Sequence, residues 1–250
     1  MKYADPDNPH VVGGGKNVYG AALGILMLET HFPRIPGDVG HAASWPFPVH
    51  YKIVSGASAE KVVCHQAEGM LDKFITAGQE LVTMGVDGIA TTCGFMSLFQ
   101  AEMAAALNVP VASSSLMQVP MVQATLTPGK RVGILTISAT TLTQEHLSAV
   151  NVPVDTPVMG TEQGQEFTRA ILGDEPYLDV AQSSADILQA GRAFCDKHPE
   201  LGAIVLECTN MVPYAAQLQR ALGIPVYSIY SFLSWFQAGL APRSFAPDSF

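Results

Sequence analysis

The chain has 250 residues, of which 48% are hydrophobic and only 14% charged, and its formal net charge is −9. This composition predicts one large or two smaller globular units with well-buried cores rather than a disordered chain. The acidic balance argues against nucleic acid or an anionic membrane surface as a partner. Residues 103–129 carry no charge, but their prolines and polar residues argue against a membrane span.

The predicted elements begin after an irregular leader at residues 1–19, which has no signal-peptide pattern and whose Gly13–Lys16 segment lacks the rest of a phosphate-binding loop. Short apolar runs then alternate with helical patterns, as is typical of βα units and a parallel sheet. The predicted strands are Leu23–Leu28, Val49–Val54, Gly88–Thr91, Val109–Ala112, Arg131–Thr136, Val152–Pro157, Ala203–Leu206 and Ile224–Ser228. The predicted helices are about 58–83, 96–107, 117–126, 141–149, 178–197, 213–222 and 230–237. Thr30–Pro48 forms a long loop of the kind that covers binding sites, and Thr141–Gln144 has the form of a capping box that starts a helix.

The two halves of the chain share a sequence pattern. Gly88-Ile-Ala-Thr-Thr-Cys93 matches Ala203-Ile-Val-Leu-Glu-Cys208, and each cysteine directly follows a predicted strand. Pro110 and Pro225 each lie 17 residues beyond their cysteine (93 to 110 and 208 to 225), at the entry to the next strand. This match predicts that the two cysteines occupy equivalent positions of a duplicated fold.

The duplication predicts an α/β fold of two pseudo-symmetric lobes, each with a mostly parallel sheet flanked by helices. Lobe 1 is expected at residues 20–127 and lobe 2 at residues 128–229, with the helix at 230–237 packing back on lobe 1. Ligands of open α/β sheets bind beyond the carboxyl ends of the strands. The active site is therefore expected in the cleft between the lobes.

Cys93 and Cys208 are the candidate catalytic residues, since each lies before a helix whose positive N-terminal field lowers a thiol pKa. Two thiols that face one cleft from opposite sides suit inversion at a carbon acid. One thiolate removes the α-proton, and the opposite thiol delivers a proton to the other face. Of the two, we expect Cys208 to ionise more easily. Donors that stabilise the developing enolate are expected from Thr92, Gly94, Phe95, Thr209 and Asn210.

The segments Thr91-Thr-Cys93-Gly-Phe95 and Glu207-Cys208-Thr-Asn210 resemble the motifs of the aspartate/glutamate racemase superfamily, which includes hydantoin racemases, maleate isomerases and arylmalonate decarboxylases. The resemblance extends over residues 20–236. It implies a pseudo-symmetric two-lobed α/β fold that needs no pyridoxal phosphate and no metal, with the two cysteines as the acid–base pair. It also implies a homo-oligomer.

Three positions depart from the pattern of glutamate racemases. Those enzymes have Asp-Ser after the first strand, where this chain has Glu29-Thr30, and Cys-Asn-Thr where it has Cys93-Gly94-Phe95. They have Cys-Thr-His in the second motif, where Asn210 replaces the histidine. The residues that fix the substrate amino group and assist the thiols are therefore altered, and a strict glutamate racemase is not expected.

Further candidate binding residues lie outside the two motifs. By resemblance, the loop with Ser138 and Thr140 lines the cleft. Arg34, in the long loop, either clamps a substrate carboxylate or is solvated. Glu29 either holds a substrate ammonium group or caps a turn. Ser114, in a run of three serines, either contacts ligand or caps a turn.

The remaining polar residues are interpreted as structural. None of the seven histidines has the spacing of a metal site. Cys64 and Cys195 fall inside predicted helices and are expected to be ordinary packing residues. Glu207 should point to the opposite face of its strand from Cys208 and form a structural salt bridge.

These observations predict a cofactor-independent racemase or epimerase of a small carboxylate-bearing carbon acid, most simply an amino acid such as aspartate. One alternative is a cis–trans isomerase of an unsaturated diacid that forms a covalent cysteine adduct. A second alternative is a catalytically silent protein that binds small anions in the same cleft. Because the four cysteines show no disulfide spacing, we expect reduced thiols and a cytoplasmic location.

Overall fold

The computed structural model describes residues 4–5 and 8–243. Its first two strands, β1 (Ala4–Asp5) and β2 (Asn8–Val12), pair antiparallel, so part of the predicted irregular leader is extended. Two four-stranded parallel sheets follow. The first contains β3 (Leu23–Leu28), β4 (Val49–Val54), β5 (Gly88–Thr91) and β6 (Val111–Ala112). The second contains β7 (Arg131–Thr136), β8 (Val158–Gly160), β9 (Leu201–Leu206) and β10 (Val226–Tyr227).

Helices flank both sheets. The α-helices in the described residues are α1 (Ala59–Cys64), α2 (Leu71–Met84), α3 (Gln100–Leu107), α4 (Val119–Thr125), α5 (Gln144–Ser148), α6 (Phe167–Leu172), α7 (Val180–Lys197), α8 (Ala215–Leu222) and α9 (Ile229–Leu240). Short 3₁₀ segments occupy Ala42–Ser44, Gly94–Phe99, Ser115–Gln118 and Thr209–Tyr214. None of these helices is long and apolar enough to cross a membrane.

The strand orders of the two sheets show the duplication directly. The first sheet has the order β4-β3-β5-β6 and the second has the equivalent order β8-β7-β9-β10. In each sheet the second strand of the order is the first in the chain and pairs with neighbours on both sides. This arrangement confirms the predicted two-lobed α/β fold with parallel sheets, while the lobe boundaries stay a prediction.

The strand predicted at Val152–Pro157 is wrong. Asn151 adopts a left-handed conformation (φ 61°), and a hydrogen bond from the Thr156 N–H to the Pro153 carbonyl closes a turn. The pairing strand begins only at Val158, opposite Ile134 of β7. Proline, which has no N–H to donate, fits a turn better than a central ladder.

Two predicted helix boundaries also differ. The helix expected over 58–83 is two helices, because Gln66, Ala67 and Gly69 have positive φ angles between α1 and α2. The helix α5 starts after Thr143 rather than at Thr141. The N–H of Thr143 donates to His146 Nδ1, so the capping box begins two residues later than predicted, at Thr143 instead of Thr141.

The last helix lies against the first sheet. Phe232 and Leu233 of α9 share an apolar cluster with Leu23 and Ile25 of β3 and with Trp45 of the long loop. A second, larger cluster runs through both sheets and includes both cysteines of the repeat, Cys93 and Cys208. The edge of the sheets where the cysteines lie is therefore enclosed by packed side chains from both halves.

Equivalent helix ends in the two halves allow a matched stability test. Asn108 (φ 53°) ends α3 and Gly223 (φ 69°) ends α8, both in the left-handed region and both exposed. A Cβ at Gly223 would meet no heavy atom within 4 Å, so Gly223→Ala changes only the backbone preference. We expect Gly223→Ala to lower the free energy of unfolding by about 1 kcal/mol, and Asn108→Gly to leave it unchanged or raise it. Urea unfolding measures both; a fully stable Gly223→Ala variant would contradict the assignment.

Candidate active site

The carboxyl ends of β5 and β9 meet at a cavity of about 20 Å³. A space of this size holds one or two water molecules, so a larger ligand has to widen it. Residues of both halves and of the long loop form its wall: Leu28, Phe32, Arg34, Ala59, Val63, Thr92, Cys93, Gly94, Phe95, Ile137, Ile171, Leu172, Glu207, Cys208, Thr209 and Asn210. The wall therefore includes both predicted catalytic cysteines and all five of the donors predicted beside them.

Both cysteines are buried and directly precede 3₁₀ segments. Burial raises the pKa of both thiols, and the negative charge of Glu207 raises them further. The backbone N–H groups of Phe95 and Asn210 act in the opposite direction on Cys93 and Cys208 respectively. The expectation of lowered pKa values is therefore wrong, because burial outweighs the N-terminal donors.

The two thiols differ in what opposes their ionisation. The positive charge of Arg34 lowers the pKa of Cys93, whereas the charges of Cys93 and Asp38 raise that of Cys208. The Cys208 Sγ also lies 3.6 Å from Asn210 Oδ1, an acceptor that favours the protonated thiol. These contacts favour Cys93 as the thiolate, in contrast to the expectation that Cys208 ionises more easily.

Arg34 is held at the cavity by the long loop. Its Nη1 donates to Asp38 Oδ1 (2.8 Å), its Nη2 donates to Thr30 Oγ1 (2.9 Å), and its guanidinium lies 4.8 Å from the centroid of the Phe32 ring. Asp38 is buried and also accepts from Asn210 Nδ2 at 2.6 Å. The arginine is therefore not a solvated loop residue, and its loop is bonded to the segment that carries Cys208.

Thr92 and Thr209 join the two halves of the site. The hydroxyl of Thr209 donates to the Thr92 carbonyl at 2.7 Å, and the Thr92 hydroxyl accepts from the Leu28 N–H at 3.1 Å. These groups hold the strand ends together and are already hydrogen-bonded. Their role as enolate donors, which the sequence predicted, stays a prediction.

Glu207 is a candidate functional residue that the sequence analysis interpreted as structural. It is fully buried, its Oε2 accepts from Thr136 Oγ1 at 2.7 Å, and its Oε1 has no hydrogen-bond partner among the described residues. Burial raises the pKa of its carboxyl to about 7. The salt bridge predicted for it is wrong, because β9 ends at Leu206 and the alternation of strand faces does not continue. An acidic residue at the end of an apolar strand is rare enough to have signalled a role.

Glycine at position 94 leaves room for this carboxyl group. A Cβ on Gly94 would lie 2.6 Å from the Glu207 carbonyl oxygen and would also clash with the carboxyl oxygen Oε1. The Glu207 side chain from the second half therefore packs directly against the Cys93–Phe95 segment of the first. Phe95 in turn packs edge-on against His146 (5.1 Å between ring centroids).

Four predicted binding residues lie outside the cavity wall, and two of them, Glu29 and Ser114, bind backbone N–H groups at turns. Glu29 is exposed and its Oε2 accepts from the Gly56 N–H at 2.7 Å, so it caps a turn. Ser114 is buried, but its hydroxyl accepts from the Leu116 N–H at 3.1 Å and starts a 3₁₀ segment. In both cases a backbone N–H at a turn donates its hydrogen bond to the side-chain oxygen.

The loop after β7 reaches the cavity through a different residue from those expected. Ser138 is buried and its hydroxyl pairs with that of Thr140 (3.1 Å), which is exposed. Ile137 forms part of the cavity wall, whereas Ser138 and Thr140 do not. The loop thus contributes an apolar side chain rather than hydroxyl groups.

The buried carboxyl of Glu207 should make stability depend on pH. Its pKa of about 7 in the folded chain lies above its ordinary value of 4.5. Between pH 4.5 and pH 7 the folded chain therefore keeps a proton on this carboxyl group that the unfolded chain has lost. The contribution of Glu207 to stability is therefore fully present below pH 4.5 and is lost as pH rises through 7, by about 3 kcal/mol. Glu207→Gln removes this dependence, which urea unfolding of both proteins at pH 4.5 and 7.5 measures. Equal pH dependence in the two proteins would contradict the assignment.

Comparison with known proteins gives both sequence relatives and structural neighbours. No protein-family model matches the chain. The chain is 28% identical over 235 residues to a dimethylsulfoniopropionate lyase of Durusdinium sp. clade D, covering 91% of this chain and 77% of the relative. It is 28% identical over 219 residues to dimethylsulfoniopropionate lyase 5 of Emiliania huxleyi (strain CCMP1516), covering 82% of this chain but only 42% of that longer relative. These relatives are lyases, not the isomerases that the sequence analysis predicted.

The structural neighbours have the same two-lobed fold. Arylmalonate decarboxylase superposes with a TM-score of 0.58 at 16% identity, over 90% of this chain and 96% of the neighbour. An aspartate racemase homologue from Pyrococcus horikoshii OT3 gives 0.55 at 17% identity, over 88% and 99%. Glutamate racemase from Francisella tularensis subsp. tularensis SCHU S4 gives 0.52 at 12% identity, over 91% and 86%. At these identities the likeness concerns the fold.

Proposed function

Because the chain has the fold of the aspartate/glutamate racemase superfamily and sequence relatives that are named dimethylsulfoniopropionate lyases, we propose that it is a lyase. Its substrate class is a small carboxylate with a sulfonium leaving group on the β-carbon, such as dimethylsulfoniopropionate. The reaction starts by removal of an α-proton. The single observation that carries this substrate class is the apolar wall of the cavity.

Aliphatic and aromatic side chains make up half of that wall: Leu28, Phe32, Ala59, Val63, Phe95, Ile137, Ile171 and Leu172. A dimethylsulfonium group carries methyl groups and has no N–H to satisfy, so it loses little when it leaves water for such a surface. Aromatic faces also attract onium cations. An ammonium group would need hydrogen-bond acceptors that aliphatic and aromatic side chains do not offer. The apolar half of the wall therefore supports a sulfonium substrate.

Arg34 supplies the complementary charge for the substrate carboxylate. It is the one cationic side chain in the described cavity wall. Among the described residues it donates two hydrogen bonds, to Asp38 and Thr30, and a guanidinium has five N–H donors. The remaining donors can bind a carboxylate and hold it as the α-carbon loses its proton.

The elimination needs one base. The Cys93 thiolate takes a proton from the α-carbon, the electron pair forms the C=C bond, and the C–S bond to the β-carbon breaks. Dimethyl sulfide leaves, acrylate remains, and the proton on Cys93 passes to solvent. The thiol of Cys208, which faces Asn210 Oδ1, does not take part in proton removal and shapes the cavity.

This assignment predicts unequal effects of the two cysteines on dimethyl sulfide release. Cys93→Ala should lower kcat by about 10³-fold or more because the general base is lost, and Cys208→Ala by about tenfold or less. Headspace gas chromatography of dimethyl sulfide and NMR of acrylate measure turnover. Cys64→Ala and Cys195→Ala, which lie outside the cavity, are the matched controls. A wild-type protein that releases neither product would refute the lyase proposal, and equal losses in both variants would refute the one-base assignment.

Racemisation is the second candidate, because both cysteines of the repeat line one cavity. Inversion requires a base on one face and an acid on the other, so both Cys93→Ala and Cys208→Ala would abolish it. Deuterium would also enter the α-position of a chiral carbon acid, with loss of optical activity, in D₂O. Candidate amino acids tested in this way separate the two reactions.

A further inference from the structure

The elimination also needs a group that stabilises the negative charge on the substrate carboxylate, and the buried carboxyl group of Glu207 is a candidate for it. We propose that Glu207 is a catalytic residue which, as a neutral carboxylic acid, donates a hydrogen bond from Oε1 to the substrate carboxylate. The bond strengthens as the α-proton leaves and negative charge moves onto that carboxylate. The effects on kcat and KM expected from this inference rest on the proposed lyase reaction.

The geometry leaves one oxygen of Glu207 available. Oε2 accepts from the Thr136 hydroxyl at 2.7 Å, while Oε1 is buried and has no partner among the described residues. Glu207 lies in the cavity wall, and the absence of a side chain at Gly94 allows its carboxyl group to approach the first-half loop. The available oxygen Oε1 thus lies against the segment that carries the proposed base, and its residue forms part of the cavity wall.

The charges around Glu207 explain why its neutral form is the useful one. Thr136 and Gly94 contact its carboxyl group, the thiols of Cys93 and Cys208 lie near it, and Arg34 in the wall is already paired with Asp38. A buried carboxylate without a cation costs several kcal/mol. Burial accordingly raises its pKa to about 7, so that the acid is well populated at neutral pH.

The substrate class defines the direction of the hydrogen bond. A sulfonium carboxylate has oxygen acceptors but no N–H or O–H donor, so Oε1 can pair with it only by donating. Removal of the α-proton adds a second negative charge to the carboxylate. A carboxylic acid kept neutral in an apolar site is a strong donor to such an enolate. The reactive form has a thiolate at Cys93 and a proton on Glu207. It is a minor form, reached when the Cys93 proton passes to solvent, because burial raises the pKa of the thiol above that of the carboxyl. During the elimination itself the Glu207 proton stays on Oε1, and only the α-proton is transferred, to Cys93 and then to solvent.

Two substitutions separate the donor from the charge. In Glu207→Gln the amide oxygen can accept from Thr136, which turns the NH₂ group to the cavity and keeps a donor; kcat at pH 6.5 should stay within about tenfold. Glu207→Met has similar size and no donor, and should lose about 10²–10³-fold in kcat with a smaller change in KM. As pH rises through 7 the wild type loses its donor, so the ratio of Gln-variant to wild-type kcat should rise. A Met variant with wild-type kcat, or a pH-independent ratio, would overturn the inference.

A binding experiment tests the same hydrogen bond without turnover. Propionate is titrated calorimetrically at pH 8 into each protein, in two buffers of different ionisation enthalpy. Wild type should take up about one proton per ligand, because binding re-protonates Glu207. Glu207→Gln should take up none, while Glu102→Gln, on the exposed face of α3, should behave as wild type. Equal uptake by wild type and Glu207→Gln would overturn the inference.

The outcomes distinguish this inference from the lyase proposal. Proton uptake that depends on Glu207, in a protein that releases no dimethyl sulfide, supports the hydrogen bond and refutes the lyase reaction. Dimethyl sulfide release that persists at the wild-type rate in Glu207→Met supports the lyase reaction and refutes the role of Glu207. Circular dichroism of the Gln and Met variants establishes that both are folded.

Discussion

The hydrogen bond from the Thr209 hydroxyl to the Thr92 carbonyl, at 2.7 Å, is the contact on which the site depends. It joins the residue after Cys208 to the residue before Cys93, so two strand ends from different sheets meet. A second bond, from Ser115 Oγ to the Leu206 carbonyl (2.7 Å), supports the same junction. Both donors and acceptors are buried, where an unpaired polar group costs about 1–3 kcal/mol. The junction therefore keeps the two cysteines in one enclosed space.

Enclosure then determines the electrostatics. The thiols and the carboxyl of Glu207 all lose solvation, and the pKa of each is raised as a result. Helix N-termini, which lower thiol pKa values at exposed sites, act too weakly here to reverse that effect. The single arginine of the wall lowers the pKa of Cys93 and not that of Cys208. The two cysteines therefore occupy equivalent positions of the repeat but differ in how readily they ionise.

The repeat was sufficient to predict the architecture and the meeting of Cys93 and Cys208, because apolar strand runs and the equal spacing to the following prolines are local patterns. It was not sufficient to predict side-chain partners. Whether Glu29 faces substrate or a turn depends on a backbone N–H at Gly56, which lies 27 residues away in the chain. The burial of Glu207 depends on Thr136, at the end of the neighbouring strand β7, and on Gly94, which comes from the opposite half of the chain. Such contacts arise only when the fold brings distant segments together.

The central claim is that a thiol in this cavity removes an α-proton and thereby expels the β-substituent. The most direct measurement is a competition between dimethylsulfoniopropionate and its α,α-dideuterated form, with mass spectrometry of the acrylate. The account predicts that the unlabelled substrate reacts faster, by about two- to sixfold if proton removal limits kcat/KM, and that labelled acrylate retains one deuterium. No isotope discrimination, together with a cysteine thioether formed by displacement at the β-carbon, would contradict it.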